Sequence, residues 1–265
     1  MKNRGGQVTI FIIIAILLVV AVALFFLLRS DVSGDTGINP TENPEAFLKI
    51  CLEDEIYSIT ETLGKQGGYI EPILKLEQFM FTDEGKRNDV TYLCYTLNYY
   101  EPCVNQRPML IEHLKNEIHD EIKSPLNTCF EKLEASYEKA GYDVVVNYSP
   151  DYFDIDLVKG QIIITADREI TTTKGDQVST EDNFKLSFAS KFYDIANVAQ
   201  EILSQEARFC NFNEQGYTML YPYLSIDKYK LTTGDGSSIY TVKYKSTGEM
   251  FRFVVRSCVI PPGFG

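Results

Sequence analysis

The sequence predicts an α+β domain of amphipathic helices packed on antiparallel sheet, carried behind a single N-terminal transmembrane helix. Three observations lead there. From Val8 to Leu28 the chain runs 21 residues without a charge. Beyond it, apolar residues recur at helical spacing as far as Gly141 and then largely alternate. The later strands are joined by hairpin signals, with no strand–helix–strand rhythm that would demand a parallel sheet.

The elements follow in chain order. Residues 1–6 form a basic leader and residues 7–29 the membrane segment. At 1.5 Å per residue the uncharged run makes about 31 Å of helix, which matches a hydrocarbon core of roughly 30 Å. Residues 8–28 are therefore expected to lie in the lipid bilayer. Lys2 and Arg4 precede the run and only Arg29 follows it closely. That bias predicts a cytoplasmic N-terminus and an extracellular C-terminal domain in the cell membrane. Residues 30–42 are rich in Gly, Ser, Asp and Pro and read as a flexible stalk. Residues 43–265 form the extracytoplasmic domain, with a change of pattern near Gly141 that would suit a subdomain boundary.

Within that domain, Asn43 followed by Pro44 predicts a helix start, with Asn as cap and Pro in the first turn. Phe47, Ile50, Cys51, Ile56, Ile59 and Leu63 supply its apolar face and Gly64 its expected end. The run from Thr91 to Leu97 predicts a strand. Pro108 is expected to open a second helix that kinks or restarts at Ser124–Pro125 and stops at Gly141. Val144 to Val146, Phe153 to Val158 and Gln161 to Thr165 predict strands, the last two joined by a Lys159–Gly160 turn. Residues 172–183 are expected as an exposed polar loop, and Lys185 to Ala189 as a strand. Phe192 to Arg208 predicts a third helix, and Tyr240 to Tyr244 with Phe251 to Val255 a final hairpin.

Composition excludes some functions. Past Arg29 the chain holds 22 Lys and Arg against 37 Asp and Glu, a formal charge of −15. Such a surface repels phosphate backbones, so nucleic acid is not an expected partner. The six cysteines, Cys51, Cys94, Cys103, Cys129, Cys210 and Cys258, all follow the membrane segment. An even number on the oxidising side predicts disulfides, and the absence of CxxC spacing argues against a zinc knuckle or redox site. Proximity in sequence suggests Cys94 with Cys103. Predicted helix packing suggests Cys51 with Cys129, which leaves Cys210 for Cys258, although sequence alone leaves other pairings open.

The candidate chemistry is sparse, and no cofactor is implied. His113 and His119 lie six apart, about 120° apart around a helix, so they miss the geometry of a HExxH zinc site. His113 and Glu117 have the spacing of a helical pair. Asp154 and Asp156 share one side of a strand beside Asp151, and could ligate calcium or act as an acid/base pair. Alternation alone also accounts for them as the solvated side of that strand. The glycines of residues 234–238 lack the lysine and spacing of a phosphate-binding loop, and no GxSxG elbow is present. With 17 tyrosines and no tryptophan, the groups Tyr92, Tyr95, Tyr99, Tyr100 and Tyr217, Tyr221, Tyr223 are candidates for a recognition surface.

The head KNRGGQVTIFIIIAILLVVAVALFFLL resembles the class III signal peptide of archaeal type IV pilin-like proteins. Their short basic leader ends in glycine before Gln and an apolar helix. The resemblance implies cleavage between Gly6 and Gln7. It departs at Phe11, where such pilins carry a Glu that aligns subunits in the filament. Taken together, the sequence predicts a membrane-anchored surface protein with a structural, adhesive or binding role and an extracytoplasmic or envelope partner. The alternatives are a minor pilin-like subunit, and an anchored hydrolase or calcium-binding protein built around Asp154 and Asp156.

Overall fold

The computed structural model describes residues 40–81, 84–85, 87–98, 100–147, 152–232 and 236–258. The predicted leader, Gly6, Gln7, the membrane segment and most of the stalk lie outside the described residues, as do Tyr99 and Asp151. No helix among the described residues is long and apolar enough to cross a membrane.

Helix α1, Pro44–Gln66, starts as its sequence dictates: the Asn43 side chain accepts from the Ala46 amide at 3.0 Å and Pro44 fills the first turn. Its buried stripe is Leu48, Leu52, Ile56, Ile59 and Leu63, with Phe47 and Cys51 packed at the edge rather than at its centre. Gly64 does not end the helix. A Cβ there would overlap the carbonyl oxygen of Met250, so Gly64 lets α1 approach the last strand closely. The stop comes at Gly67, whose φ of 78° is the left-handed cap.

Helix α2, Leu110–Lys139, runs unbroken through Pro125. The expected restart does not occur because one buried stripe continues across the proline, from Ile118 and Ile122 to Leu126, Cys129 and Phe130. Burial on both sides of Pro125 outweighs the one backbone hydrogen bond that proline removes. Helix α3 is Phe192–Phe209, and the short helix α4, which the sequence reading lacks, is Glu214–Leu220.

Among the described residues, twelve strands form three sheets. The largest is built from β1 (Leu76–Met80), β2 (Arg87–Tyr95), β3 (Val104–Asn105), β10 (Leu224–Lys230), β11 (Ser237–Tyr244) and β12 (Met250–Arg256), in the order β1-β2-β12-β11-β10 with β3 on β2. Its pairings are antiparallel except where β12 meets β2, with Val254 opposite Tyr92. The second sheet is β5 (Phe153–Val158), β6 (Gln161–Ala166) and β9 (Phe184–Ala189), in that order and antiparallel. The third is β4 (Asp143–Asn147), β7 (Glu169–Lys174) and β8 (Gln177–Glu181). Residues 172–183 are thus mostly strand. Threonines with strand preference and a turn at Gly175–Asp176 outweigh polarity, and Ile170 and Thr172 supply the buried side.

Helix α1 packs against α2, β9 and β12, so it touches two sheets at once, while α3 packs on β11 and β12. One hydrophobic core runs through all of these, including Leu52, Ile118, Ile164, Phe188, Ile202 and Phe253. The opposite face of the large sheet has its own cover, where Phe79 and Phe81 close over Val90, Ile239 and Val254. Residues from Pro40 onward cluster as one compact unit with no division near Gly141.

Candidate functional site

The described cysteines are all bonded: Cys51 with Cys129, Cys94 with Cys103, and Cys210 with Cys258. The Cα separations of 5.9, 5.3 and 5.5 Å lie in the usual disulfide range. The first bond ties α1 to α2, the second closes the excursion between β2 and β3, and the third ties the end of α3 to the second residue after β12.

Asp154 and Asp156 point outward from β5 with Phe153, Ile155 and Leu157 inward, as alternation requires. Asp154 accepts from the Ile155 amide at 2.8 Å, and Asp156 faces the Lys115 ammonium at 3.4 Å. No group of three or more His, Cys, Asp or Glu that could hold a metal is gathered among the described residues.

The histidines part company. The His119 ring stacks on Phe153, with ring centres 4.3 Å apart. His113 lies against Tyr69, and its Nε2 sits 3.9 Å from Glu117, too far for a hydrogen bond. Burial, and then the neighbouring Arg107 guanidinium, hold its imidazole below the ordinary value, so it is kept neutral.

The tyrosines divide into two groups. Tyr92 is buried, with its hydroxyl donating to Glu77 at 2.9 Å, and Lys75 caps the Tyr92 and Tyr95 rings. Of that group Tyr92 and Tyr95 are structural, whereas Tyr100 is exposed. The other group is a surface. Tyr217 and Tyr221 lie one turn apart on and after α4, with ring centres 4.7 Å apart. The chain then turns into β10, bringing Tyr223 within 6.1 Å of Tyr221. The register that sets Leu224 opposite Tyr244 adds the Tyr244 ring, 5.3 Å from Tyr223. The same segment carries two freely exposed apolar side chains, Met219 at 83% and Leu220 at 75% exposure.

Polar groups fix the row. The Tyr217 hydroxyl donates to Glu201 at 3.0 Å, and burial followed by that carboxylate pushes its pKa well above the tyrosine range. The Lys245 ammonium donates to the Pro222 carbonyl at 2.7 Å and holds the turn that carries Tyr223. Inward, Tyr217 meets the buried Phe212 at 5.4 Å, so the row is rooted in the core. Comparison of the chain with protein-family models, curated proteins and solved structures gives no match. The surface therefore has to be read from its own chemistry. Tyrosines offer wide contact area with few rotatable bonds and a hydroxyl at the rim, and Met219 and Leu220 add apolar area that water covers at a cost.

Sequence reading found Tyr217, Tyr221 and Tyr223 but not Tyr244, Met219 or Leu220. The i,i+4 spacing of Tyr217 and Tyr221 was the available signal. Tyr244 joins only through strand register.

Proposed function

We propose that the chain is a membrane-anchored surface protein whose extracytoplasmic domain binds another extracytoplasmic component through the Tyr217–Tyr221–Tyr223–Tyr244 row. The observation that carries this is the row itself, four tyrosine rings in succession, beside a short helix that also exposes Met219 and Leu220, on an otherwise strongly acidic domain. Patches of this kind on soluble domains mark interaction sites. The uncharged run from Val8 to Leu28, the basic residues before it and three disulfides after it support anchoring with the domain outside. A second reading, a minor pilin-like subunit, rests on the Gly6–Gln7 junction and predicts loss of the leader.

Two experiments test the proposal. In right-side-out vesicles, added protease should remove the domain and leave a protected stub near Arg29. Survival of the domain until the membrane is opened refutes the orientation. Separately, full-length protein in vesicles is assayed for attachment to isolated envelope fragments. The double substitution Tyr221→Ser/Tyr223→Ser should weaken attachment by roughly 10- to 100-fold, as loss of interface tyrosines does. Attachment unchanged by the substitution shows that the row is not the contact surface.

A further inference from the structure

Away from the tyrosine row, a cavity of about 330 Å³ opens between the exposed side of α1, the turn between β11 and β12, and the start of α3. It stands at the lower end of the size of small-molecule sites, room for roughly ten non-hydrogen atoms. The apolar part of its lining is Phe192, Met250 and Tyr57. Three carboxylates reach the same cavity, Glu61, Glu84 and Glu249, against one ammonium, Lys65.

A hydrogen-bond account decides what such a cavity accepts. Several donors around it are already engaged, although Lys65 spends only one of its three N–H groups in the bond to Glu61. Lys65 sits on Glu61 at 2.6 Å, Arg252 on Glu84 at 2.8 Å, and Asn88 on the other Glu84 oxygen at 2.6 Å. Ser190 and the Lys191 amide both donate to Glu249, at 2.5 and 2.9 Å, and Thr60 donates to the Ile56 carbonyl at 2.9 Å. A carboxylate has about four lone-pair sites, so Glu61 and Glu249 keep acceptor capacity that these bonds do not use. The three carboxylates outnumber the Lys65 and Arg252 cations beside them, so the cavity carries a net negative charge. Burial, and then the carboxylates of Glu53 and Glu249, raise the pKa of the Tyr57 phenol, which agrees in sign with a negative field at the mouth.

We propose that this cavity binds an alkylammonium group, its hydrocarbon stem on Phe192, Met250 and Tyr57 and its charged end on Glu61 and Glu249. A free aliphatic amine and a lysine side chain of a polypeptide share that chemistry. Neither a carboxylate ligand nor a neutral alcohol meets both requirements, because the first adds negative charge and the second supplies a single uncharged donor.

The test uses the full-length chain in a non-ionic detergent, with its methionine methyl groups labelled with carbon-13. The sequence has five methionines. Met250 lines the cavity, and the exposed Met219, on α4, serves as the internal control. Titration with n-butylammonium chloride should shift the Met250 signal saturably while Met219 stays still, with a Kd on the order of 1 mM. n-Butanol should bind about tenfold more weakly, because it lacks the charge-assisted bond. Glu61→Gln, at an exposed position, should weaken n-butylammonium by roughly 3- to 10-fold. Thr247→Trp, in the exposed turn, should close the mouth and abolish the shift. Nα-acetyl-lysine methylamide runs in parallel. Tighter binding of n-butylammonium assigns a free amine, and tighter binding of the lysine derivative assigns a polypeptide side chain. A Met250 signal that neither compound moves, equal affinity for butanol, or indifference to Glu61→Gln overturns the proposal. None of these outcomes bears on the tyrosine row.

Discussion

Replacing Glu206 by alanine probes how the C-terminal half of the domain is held. Glu206 lies on the buried side of α3 and is fully inaccessible to solvent. One carboxylate oxygen accepts from the Lys228 ammonium at 2.9 Å and from the Tyr240 hydroxyl, and the other accepts from Ser257 at 2.6 Å. The network ties α3 to β10, β11 and the residue following β12. Removing the carboxylate leaves the Tyr240 hydroxyl, itself fully buried, without that acceptor, at a cost of about 1–3 kcal/mol. A lost methylene and the space left behind add roughly 1 kcal/mol. Lys228 is 20% exposed and can turn to water, so its share is small. Relief of the carboxylate's own desolvation offsets part of the total. The expected net loss is about 2–4 kcal/mol, roughly 5–12 °C in Tm for a domain of this size. Glu206→Gln keeps an acceptor for Lys228 and Tyr240 and should lose about 1 kcal/mol. Lys228→Met strands a buried charge and should cost about 3 kcal/mol. Thermal unfolding followed by far-UV circular dichroism, with disulfides intact, gives the ranking. A Glu206→Ala protein as stable as the parent, or a Lys228→Met protein more stable than Glu206→Gln, refutes the reasoning.

Other consequences can be measured on the same protein. In the loop-entropy account, the Cys51–Cys129 bond, closing 78 residues, contributes about 4.5 kcal/mol, and the Cys94–Cys103 bond, closing nine, about 2.6 kcal/mol. Paired alanine substitutions should therefore lower Tm more for the first bond, and the reverse order counts against that account. His113 has a folded pKa below its ordinary 6.5, so the unfolded state binds the proton more readily. Stability should accordingly fall as pH drops through 6.5 toward the lower folded value, and His113→Gln should flatten that part of a Tm-versus-pH curve. An identical slope in the variant excludes His113 as its source.

Much of the fold was legible because burial and period coincide. β5 and β6 alternate cleanly against the core, α2 carries an unbroken buried stripe, and that of α3 is apolar as far as Leu203. The disulfide pairing was also within reach, since Cys51 and Cys129 sit on helices that must pack together. Legibility ended where tertiary contact decides. Gly64 looks like a helix end, and only the approach of Met250 explains a glycine inside α1. The β7–β8 hairpin has Thr and Ser on both sides, so no alternation marks it. Glu206 was a visible anomaly, a carboxylate continuing the stripe of Ala199, Ile202 and Leu203, but its partners come from strands that pair far along the chain. The cavity beside Tyr57 joins three segments distant in sequence and leaves no local trace.

The tyrosine row depends on bracing that lies outside it. Helix α4 has seven residues and buries none of them, so it is too short to hold its own shape. Its start is fixed by Asn213, whose side chain accepts from the Gly216 amide at 2.9 Å, and by Phe212, which packs on Tyr240 with ring centres 6.2 Å apart. Just before these stands Cys210, held to Cys258, and just after the row comes Leu224 in β10. The segment from Asn211 to Tyr223 is therefore strung between two anchors, one of them covalent. A surface fixed before its partner arrives loses less entropy on binding, which gives the Cys210–Cys258 bond a role beyond global stability. The paired change Cys210→Ala/Cys258→Ala should raise amide exchange between Asn213 and Tyr223 by roughly 10- to 100-fold through local opening, with a smaller change in β11 and β12. Phe212→Ala should loosen the same amides and leave the disulfide in place. Hydrogen exchange read residue by residue decides the matter. Equal loss of protection in α4 and in β11 means that the bond stabilises the whole domain and does nothing particular for the row.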